Sequence, residues 1–266
     1  MAKIRSLLDD NSVHTVCEEA KCPNIGECFS SNTVTFMLMG DVCTRNCAFC
    51  GVNSGKPSEL NKNEPAIIAS SAKKLGLKYI VLTSVTRDDI FDGGASHFAD
   101  TIKEIKKEIP ESKIEVLIPD LLGNINSLKT ICDACPDVIN HNMETVNALY
   151  NTIRPQAIYE RSLKVLKNAK TLNNSLYTKS GFMLGLGEKK DDVFALIRDL
   201  KNANCDILTI GQYLRPSKDQ TETVEFVKPE IFDLYREEAE KMGFLKVFSG
   251  PFVRSSYKAQ EIFKGN

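Results

Sequence analysis

Short apolar runs rich in β-branched and aromatic residues recur along the chain, each bounded by polar or turn-forming residues. Runs of this length and composition are typical of buried strands. Six of them form a regular series, and a shorter seventh follows near the end. The predicted strands are Val34–Met39, Tyr79–Thr83, Ile114–Ile118, Asp137–Asn140, Tyr177–Met183, Ile207–Ile210 and Lys246–Ser249.

Segments with a helical period lie between these runs. In one of them Phe98, Ile102 and Ile105 recur at helical spacing. Another begins just after Pro65, and proline is favoured in the first turn of a helix. The predicted helices are Ala66–Leu75, His97–Glu108, Asn126–Ala134, Tyr159–Thr171, Asp191–Asn202 and Pro229–Met242.

Six strands that alternate with helices indicate a parallel sheet with the helices packed outside it. Six units are fewer than the eight of a complete barrel, so the expected fold class is α/β, a partial (β/α)6 TIM-like barrel. In such folds the chemistry gathers at the carboxyl ends of the strands. The polar residues that follow the predicted strands are Cys43, Thr83, Ser84, Asp120, Asn142, Glu144, Glu188 and Gln212.

The first strand leads directly into three cysteines, Cys43, Cys47 and Cys50, spaced C-x3-C-x2-C. Three thiolates on one short loop can hold three corners of a cubane iron–sulfur cluster and leave the fourth iron open. A structural zinc site normally needs four protein ligands, and no fourth ligand lies beside this loop. The remaining alternative is that the cysteines are clustered without function.

A second triplet, Cys17, Cys22 and Cys28, precedes the first strand in a segment too broken by Pro23 and Gly26 for a long helix. One interpretation is a zinc site that uses His14 as the fourth ligand. The other is a second cluster whose last ligand comes from elsewhere in the chain. Spacing alone leaves both open.

Composition narrows the class of protein. The 266 residues suit one domain of barrel size or two smaller ones, and 34 Lys and Arg against 35 Asp and Glu give no basic excess, so no nucleic acid partner is expected. No apolar run suits a bilayer and no signal-peptide pattern is present, so we expect no membrane association. Nine cysteines, an odd number, suggest a reducing cytoplasm and metal ligation more than disulfides.

The cysteine loop after the first strand resembles the signature of the radical S-adenosylmethionine (radical SAM) superfamily. Five further stretches are similar to motifs of one family within it, the lipoyl synthases, and the resemblance covers nearly the whole chain. These stretches are Val16–Ile25 with Cys28 after it, Asn140–Thr145, Met183–Glu188, Leu208–Leu214 and Gly250–Tyr257.

The resemblance implies that Cys43, Cys47 and Cys50 ligate a [4Fe–4S] cluster whose fourth iron is chelated by S-adenosylmethionine (SAM). The reduced cluster would cleave SAM to methionine and a 5′-deoxyadenosyl radical, which takes hydrogen from an unactivated C–H bond. The cofactor carries this chemistry, while the protein positions the radical and excludes water.

The resemblance also implies an auxiliary [4Fe–4S] cluster on Cys17, Cys22 and Cys28, with a serine of the tail as fourth ligand, for which we choose Ser256 over Ser255. A serine oxygen is poorly matched to iron that otherwise prefers thiolate, which suits a cluster that must come apart. Its sulfides would be inserted at C6 and C8 of an octanoyl chain. The zinc interpretation loses support, because it leaves the tail motif unexplained.

The implied substrate is an octanoylated lysine on a carrier protein, either glycine cleavage H protein or the E2 lipoyl domain of a 2-oxoacid dehydrogenase. An external electron donor is also implied. We expect a cytoplasmic monomer with an auxiliary-cluster segment at 1–28, a radical SAM core at 29–245 and a C-terminal tail at 246–266.

For SAM itself, the candidate contacts are Ser84, Asn142, Glu144 and Arg154, which lie where polar groups are needed for the ribose and methionyl parts. Alternatively, Asn142 caps the turn that follows it. Cys132, Cys135 and Cys205 are expected to be structural. Two other functions are weighed for the chain, a biotin-synthase-like radical sulfur insertion and a non-catalytic two-cluster electron carrier.

Overall fold

The computed structural model describes residues 13–30, 34–256 and 259–263. These residues fall into two compact units. The first unit comprises Met1–Arg45 and Gly51–Val138, and the second comprises Asn46–Cys50 and Ile139–Asn266. The first twelve residues of the expected auxiliary segment, and Tyr257 of the tail motif, lie outside the described residues.

The first unit alternates strands and helices after a short N-terminal section. A 3-10 turn at Leu121–Gly123 precedes its last helix. The elements in chain order are β1 (His14–Thr15), α1 (Val16–Glu19), α2 (Ile25–Ser30), β2 (Thr35–Leu38), β3 (Val42–Cys43), β4 (Asn53–Ser54), α3 (Glu64–Lys74), β5 (Tyr79–Ser84), α4 (Ala95–Glu108), β6 (Lys113–Leu117) and α5 (Ile125–Asp133).

The main strands of the first unit are parallel. β2 pairs with β5, and β5 pairs with β6, whereas the two-residue β1 runs antiparallel to β2. β3 and β4 form a separate parallel pair. All four residues of β2 are buried, because a parallel strand is covered on both faces. Helix α4 packs one face inward, with Phe98, Ile102 and Ile105 fully buried.

The second unit continues the alternation. It begins within the strand β7, whose first residue, Val138, still belongs to the first unit. The elements in chain order are β7 (Val138–Asn140), α6 (Tyr150–Ile153), α7 (Tyr159–Leu172), β8 (Tyr177–Leu184), α8 (Lys190–Asn202), β9 (Ile207–Gln212), α9 (Pro229–Lys241) and β10 (Lys246–Gly250).

β9 is the centre of a parallel trio in the second unit, with β8 on one side and β10 on the other. The core packs around it. Fully buried side chains from three helices and two strands meet there, so burial of apolar surface is the main force that holds these elements together. Representative members are Leu166, Phe182, Ile197, Leu208 and Phe232.

Every predicted strand and helix is present, with ends that differ by at most two residues from the prediction. The α/β class with a mostly parallel sheet is confirmed, as is the absence of a long helix around Pro23 and Gly26. The short helices α1, α2 and α6 and the two-residue strands β1, β3 and β4 were not predicted, because elements this short carry no readable period. In the part of the chain that the structure describes, no helix is both long and apolar enough to cross a membrane.

Candidate active site

Cys43 ends β3, and two backbone amides hold its sulfur. The Cys43 Sγ accepts hydrogen bonds from the N–H of Arg45 at 3.4 Å and from the N–H of Thr86 at 3.3 Å. The side chain is half-buried. Amide donors stabilise negative charge on a sulfur, so this environment fits a thiolate that ligates iron.

Thr44, the next residue, fastens the cysteine loop to the segment that leaves β5. Its backbone N–H and its hydroxyl both donate to the carbonyl of Thr86, at 3.0 and 2.9 Å. In return, the Thr44 Oγ1 accepts a hydrogen bond from the N–H of Asp88 at 3.1 Å. The start of the loop is therefore fixed by three bonds to one neighbouring segment.

Cys47 and Cys50 belong to the second unit, where other bonds hold them. The N–H of Cys50 donates to the carbonyl of Cys47 at 3.1 Å, which makes a tight turn between the two. Between them, Ala48 donates to the carbonyl of Ile153 at 2.9 Å and accepts from the N–H of Thr221 at 2.8 Å. Both thiols are half-buried, and neither forms a disulfide bond.

The second triplet lies on α1, on α2 and on the turn between them. Cys17 is buried, and this burial raises the pKa of its thiol to about 12, although a hydrogen bond from the Thr35 backbone opposes the rise. Charge on Cys22 and Cys28 raises the Cys17 pKa further. Burial and then charge on Cys22 also raise the pKa of Cys28. These mutual effects place the three thiols in one neighbourhood.

Three neighbouring thiols are a donor set that fits an iron–sulfur cluster. A zinc ion draws its thiolates to about 2.3 Å, whereas each thiolate of a cubane cluster binds a different iron. Among residues 13–30, 34–256 and 259–263, no three His, Cys, Asp or Glu side chains converge closely enough to hold a single metal ion. His14, the zinc ligand considered above, has its Nδ1 atom 3.1 Å from Oε1 of Glu19.

Ser84 is the last residue of β5, in the first unit. Its hydroxyl oxygen is buried and makes no hydrogen bond within the described part of the chain. A buried hydroxyl without a bonding partner costs about 1–3 kcal/mol. The position therefore fits a hydroxyl that would bond to a polar ligand at the carboxyl end of the strand.

The other three candidate SAM contacts, Asn142, Glu144 and Arg154, come together in the second unit. The Arg154 Nη1 atom donates to the carbonyl of Asn142 at 2.8 Å, to the carbonyl of Met143 at 3.2 Å and to the hydroxyl of Tyr150 at 2.8 Å. Arg154 is buried. This nitrogen of the guanidinium group thus stabilises the backbone that follows β7.

Glu144 stands on that backbone with a positive φ of 67°. This left-handed conformation is rare outside glycine, so the surrounding structure must hold it. It does so through β8, where the Glu144 N–H donates to the carbonyl of Gly181 at 3.0 Å and its carbonyl accepts from Met183 at 2.9 Å. Burial raises the pKa of the Glu144 carboxyl, although the charge of Arg154 and a hydrogen bond with Asn142 oppose the rise.

The described part of the tail folds back within the second unit. Asn140 donates from Nδ2 to the Ser255 hydroxyl at 2.7 Å, and that hydroxyl donates to Oδ1 of Asn142 at 3.1 Å. Gly211 of β9 permits the approach, because a Cβ atom there would clash with the carbonyl oxygen of Val253. The tail and the residues after β7 are therefore directly joined.

Sequence reasoning assigned no role to Arg45 or Gly211, and it did not pair Ser255 with any residue. An arginine between two cysteines of the predicted cluster loop is an available signal, because a cation placed there needs anionic partners. The partner of Ser255 has no such signal. Asn142 lies 113 residues away in the chain, and only the folded structure brings the two together.

Comparison with protein families gives one extensive match, in which the Radical SAM superfamily model covers residues 37–211. Two solved structures have similar backbones. Methylornithine synthase (PylB) has a TM-score of 0.58 and 14% identity, over 99% of this chain and 87% of that chain. Streptococcus suis SuiB bound to S-adenosylmethionine has a TM-score of 0.59 and 11% identity, over 85% of this chain and 53% of that chain. At these identities the likeness shows the fold alone.

Curated relatives are far more similar in sequence. The lipoyl synthase of Caldicellulosiruptor bescii is 57% identical over 249 residues, which are 94% of this chain and 86% of that protein. The lipoyl synthase of Caldicellulosiruptor saccharolyticus is 54% identical over 262 residues, 98% of this chain and 92% of that protein. The chain therefore belongs to the lipoyl synthase family of the radical SAM superfamily.

Proposed function

We propose that this chain inserts two sulfur atoms, at C6 and C8, into an octanoyl group carried on a protein lysine, and so forms a lipoyl group. The observation that carries the proposal is the 54% identity to a lipoyl synthase over 262 of the 266 residues. A match this long must include the positions of both cysteine triplets and of the tail serines. The proposal therefore concerns the whole chain, and not the radical SAM core alone.

Cys43, Cys47 and Cys50 are the proposed ligands of the SAM-binding [4Fe–4S] cluster. When bound, this cluster and SAM supply a radical that removes hydrogen from unactivated C–H bonds. The contribution of the protein is to fix the three thiolates. The bonds from Thr86 to Cys43 and Thr44, and the turn from Cys47 to Cys50, support this role.

The proposed SAM contacts divide into two kinds. Ser84 offers a buried hydroxyl that makes no bond to the described residues, and it suits direct contact with a polar group of SAM. In the second unit, Arg154 holds the carbonyl of Asn142, while Asn142 bonds the carboxyl group of Glu144. These three residues form a polar group at the end of β7, where chemistry gathers in folds of this class.

Cys17, Cys22, Cys28 and Ser256 are the proposed ligands of the auxiliary [4Fe–4S] cluster, whose sulfides are the sulfur source. The proximity of the three thiols supports the first three assignments. The bonds of Ser255 support the assignment of Ser256 indirectly. The Ser255 hydroxyl donates a hydrogen bond to Asn142, and Ser255 would have to lose that bond in order to ligate iron.

The substrate class is an octanoylated carrier domain, either glycine cleavage H protein or the E2 lipoyl domain of a 2-oxoacid dehydrogenase. An external donor supplies electrons. We propose that the enzyme acts as a monomer in the cytoplasm, where reduced thiols can hold clusters. Residues 1–28 would carry the auxiliary cluster, 29–245 the radical SAM core and 246–266 the closing tail.

The two triplets can be tested separately in protein reconstituted without oxygen. Cys17→Ala should still cleave SAM but form no lipoyl product, because only the sulfur source is damaged. Cys43→Ala should abolish cleavage. Cys135→Ala, which removes an exposed cysteine of neither triplet, is the control and should retain both activities. Sulfur insertion by Cys17→Ala, or SAM cleavage by Cys43→Ala, would refute the division of roles.

A further inference from the structure

We propose that Arg45 is a positioning residue that raises the reduction potential of the SAM-binding cluster, by holding the sulfur of Cys43 against two backbone amides. The inference rests on the proposed function, since it requires a cluster on Cys43, Cys47 and Cys50. It adds a role for a side chain that ligates nothing itself.

The Arg45 side chain is buried, with 3% of its surface exposed, and it forms ion pairs with two carboxylate groups. Its Nε and Nη2 atoms donate to the two carboxylate oxygens of Asp88, at 2.6 and 3.0 Å. Nη2 also donates to Oδ1 of the fully buried Asp120, at 2.6 Å. A guanidinium group is always protonated in proteins, so both contacts are ion pairs.

This ion network joins the two segments that supply the amides. One amide, the N–H of Arg45 itself, comes from the cysteine loop, and the other, the N–H of Thr86, comes from the segment after β5. Asp88 lies two residues beyond Thr86, and its own N–H bonds Thr44. Arg45 and Asp88 therefore fasten the segments together at the point where both amides face the Cys43 sulfur.

Arginine suits this task better than lysine. The planar guanidinium group forms two parallel bonds to one carboxylate and still reaches a second carboxylate, whereas an ammonium group acts as a point charge. The exchange Arg45→Lys would keep the positive charge between Asp88 and Asp120 but lose the fixed geometry. The two segments would then hold their spacing less tightly.

The consequence for the cluster is electrostatic. Hydrogen bonds to cluster sulfurs are among the factors that set the potential of an iron–sulfur cluster. Reduction adds negative charge, and amide donors stabilise it, so loosening the amides should make reduction harder. A tenfold decrease in the equilibrium constant for reduction corresponds to a potential that is lower by about 59 mV for a one-electron couple.

The test is a redox titration of the anaerobically reconstituted holoenzyme, followed by electron paramagnetic resonance. The signal to follow is the one that changes when SAM is added, because only the cluster with an open iron responds. Arg45→Lys should shift the midpoint of this signal to a more negative potential. A shift of about 59 mV corresponds to a tenfold weaker electron affinity. Asp88→Glu, which keeps the negative charge but lengthens the side chain, should shift it in the same direction by less.

Arg87→Lys is the matched control. Arg87 is also buried and also forms a two-bond pair, with Asp89 at 2.9 Å for both bonds, but it has no bond to the cysteine loop. An unchanged potential in Arg87→Lys, with a shift in Arg45→Lys, supports the proposal. Equal shifts in both variants would overturn it, because general loosening of the loop would explain them.

Two further outcomes would also overturn the proposal. One is an unchanged midpoint in Arg45→Lys with the SAM-responsive signal intact. The other is loss of the SAM-responsive signal, with the rest of the spectrum unchanged, in both Arg45→Lys and Asp88→Glu. That result would show a role in cluster assembly and not in potential. A wild-type protein without any SAM-responsive signal would instead contradict the proposed function.

Discussion

The hydroxyl of Ser255 donates a hydrogen bond to Oδ1 of Asn142 at 3.1 Å. This bond ties the tail to the residues that follow β7, among which we place the SAM contacts. The same hydroxyl accepts from Asn140 at 2.7 Å. Of the two adjacent tail serines, Ser255 therefore has a structural role within the second unit. Ser256 is the auxiliary ligand chosen from the family resemblance, and the bonds of Ser255 are consistent with that choice.

The two tail serines should differ when each is changed to alanine. Ser256→Ala removes the proposed fourth ligand and leaves three thiolates, as on Cys43, Cys47 and Cys50, so the auxiliary cluster should acquire an open iron with a changed Mössbauer signal. Ser255→Ala should keep both clusters but lose about 1–3 kcal/mol of stability, because Asn140 and Asn142 lose a buried partner. Mössbauer spectra measure the first effect, and chemical unfolding measures the second.

The reverse pattern would assign the ligand to Ser255. A wild-type Mössbauer spectrum in Ser256→Ala, together with an open auxiliary iron in Ser255→Ala, would show that the bond to Asn142 gives way when the auxiliary cluster is present. Thr209→Ser is the control, because Thr209 is a buried hydroxyl residue on β9 that the proposal does not use.

Gly211 should be intolerant of a side chain. A Cβ atom at this position would overlap the backbone oxygen of Val253, and backbone cannot move aside as a flexible side chain can. Gly211→Ala should therefore displace the tail and cost about 1–3 kcal/mol, the usual range for overpacking. Urea unfolding gives the stability, and iron content of the reconstituted protein shows whether the auxiliary cluster is also lost.

Gly250 provides a matched control, because it is the residue opposite Gly211 in the β9–β10 pair. A Cβ atom there would meet only Cγ2 of Val253 at 3.6 Å, an ordinary contact. Gly250→Ala should leave both stability and iron content near the wild-type values. If Gly211→Ala behaves in the same way as Gly250→Ala, the close approach of the tail to β9 is wrong.

The cysteines outside the two triplets should react according to burial. Burial raises the pKa of the Cys205 thiol to about 12, although its interaction with the Ile207 backbone opposes the rise. At about pH 8 the reactive thiolate is then on the order of one part in ten thousand. Cys135 is exposed. Iodoacetamide should label Cys135 within minutes and Cys205 only when the protein unfolds. Peptide mass spectrometry measures both rates. Rapid labelling of Cys205 in folded protein would contradict its structural role.

Glu144 should make stability depend on pH. Its pKa in the folded protein is raised by burial, so the folded state binds more protons than the unfolded state above the ordinary carboxyl pKa of 4.5. Stability should therefore fall as the pH rises from that value through the raised pKa. Glu144→Gln cannot ionise, and it should show a smaller fall in stability as the pH rises above the ordinary carboxyl pKa.

Urea midpoints of the cluster-free protein across this range measure the difference between wild type and variant. Glu230→Gln removes a charge from an exposed position on α9 and controls for the change in net charge. Identical pH profiles for wild type and Glu144→Gln would mean that the carboxyl group is not held in a buried environment.

The strands and helices could be predicted from the sequence, because each long element has a clear period of burial. Phe98, Ile102 and Ile105 of α4 illustrate this, since all three are fully buried as their spacing predicts. The cysteine triplets could also be identified from spacing. The supporting contacts could not, because Arg45 and Asp120 are 75 residues apart, and Asn142 and Ser255 are 113 apart. Such pairs depend on how strands are ordered and on how the tail returns.

The central claim is tested most directly by mass spectrometry of an octanoylated lysine peptide incubated with the reconstituted protein, SAM and a reductant under anaerobic conditions. The account predicts a product whose mass has increased by two sulfur atoms, less two hydrogens where the two thiols have been oxidised to the ring disulfide. Cleavage of SAM with the octanoyl peptide unchanged in mass would contradict it.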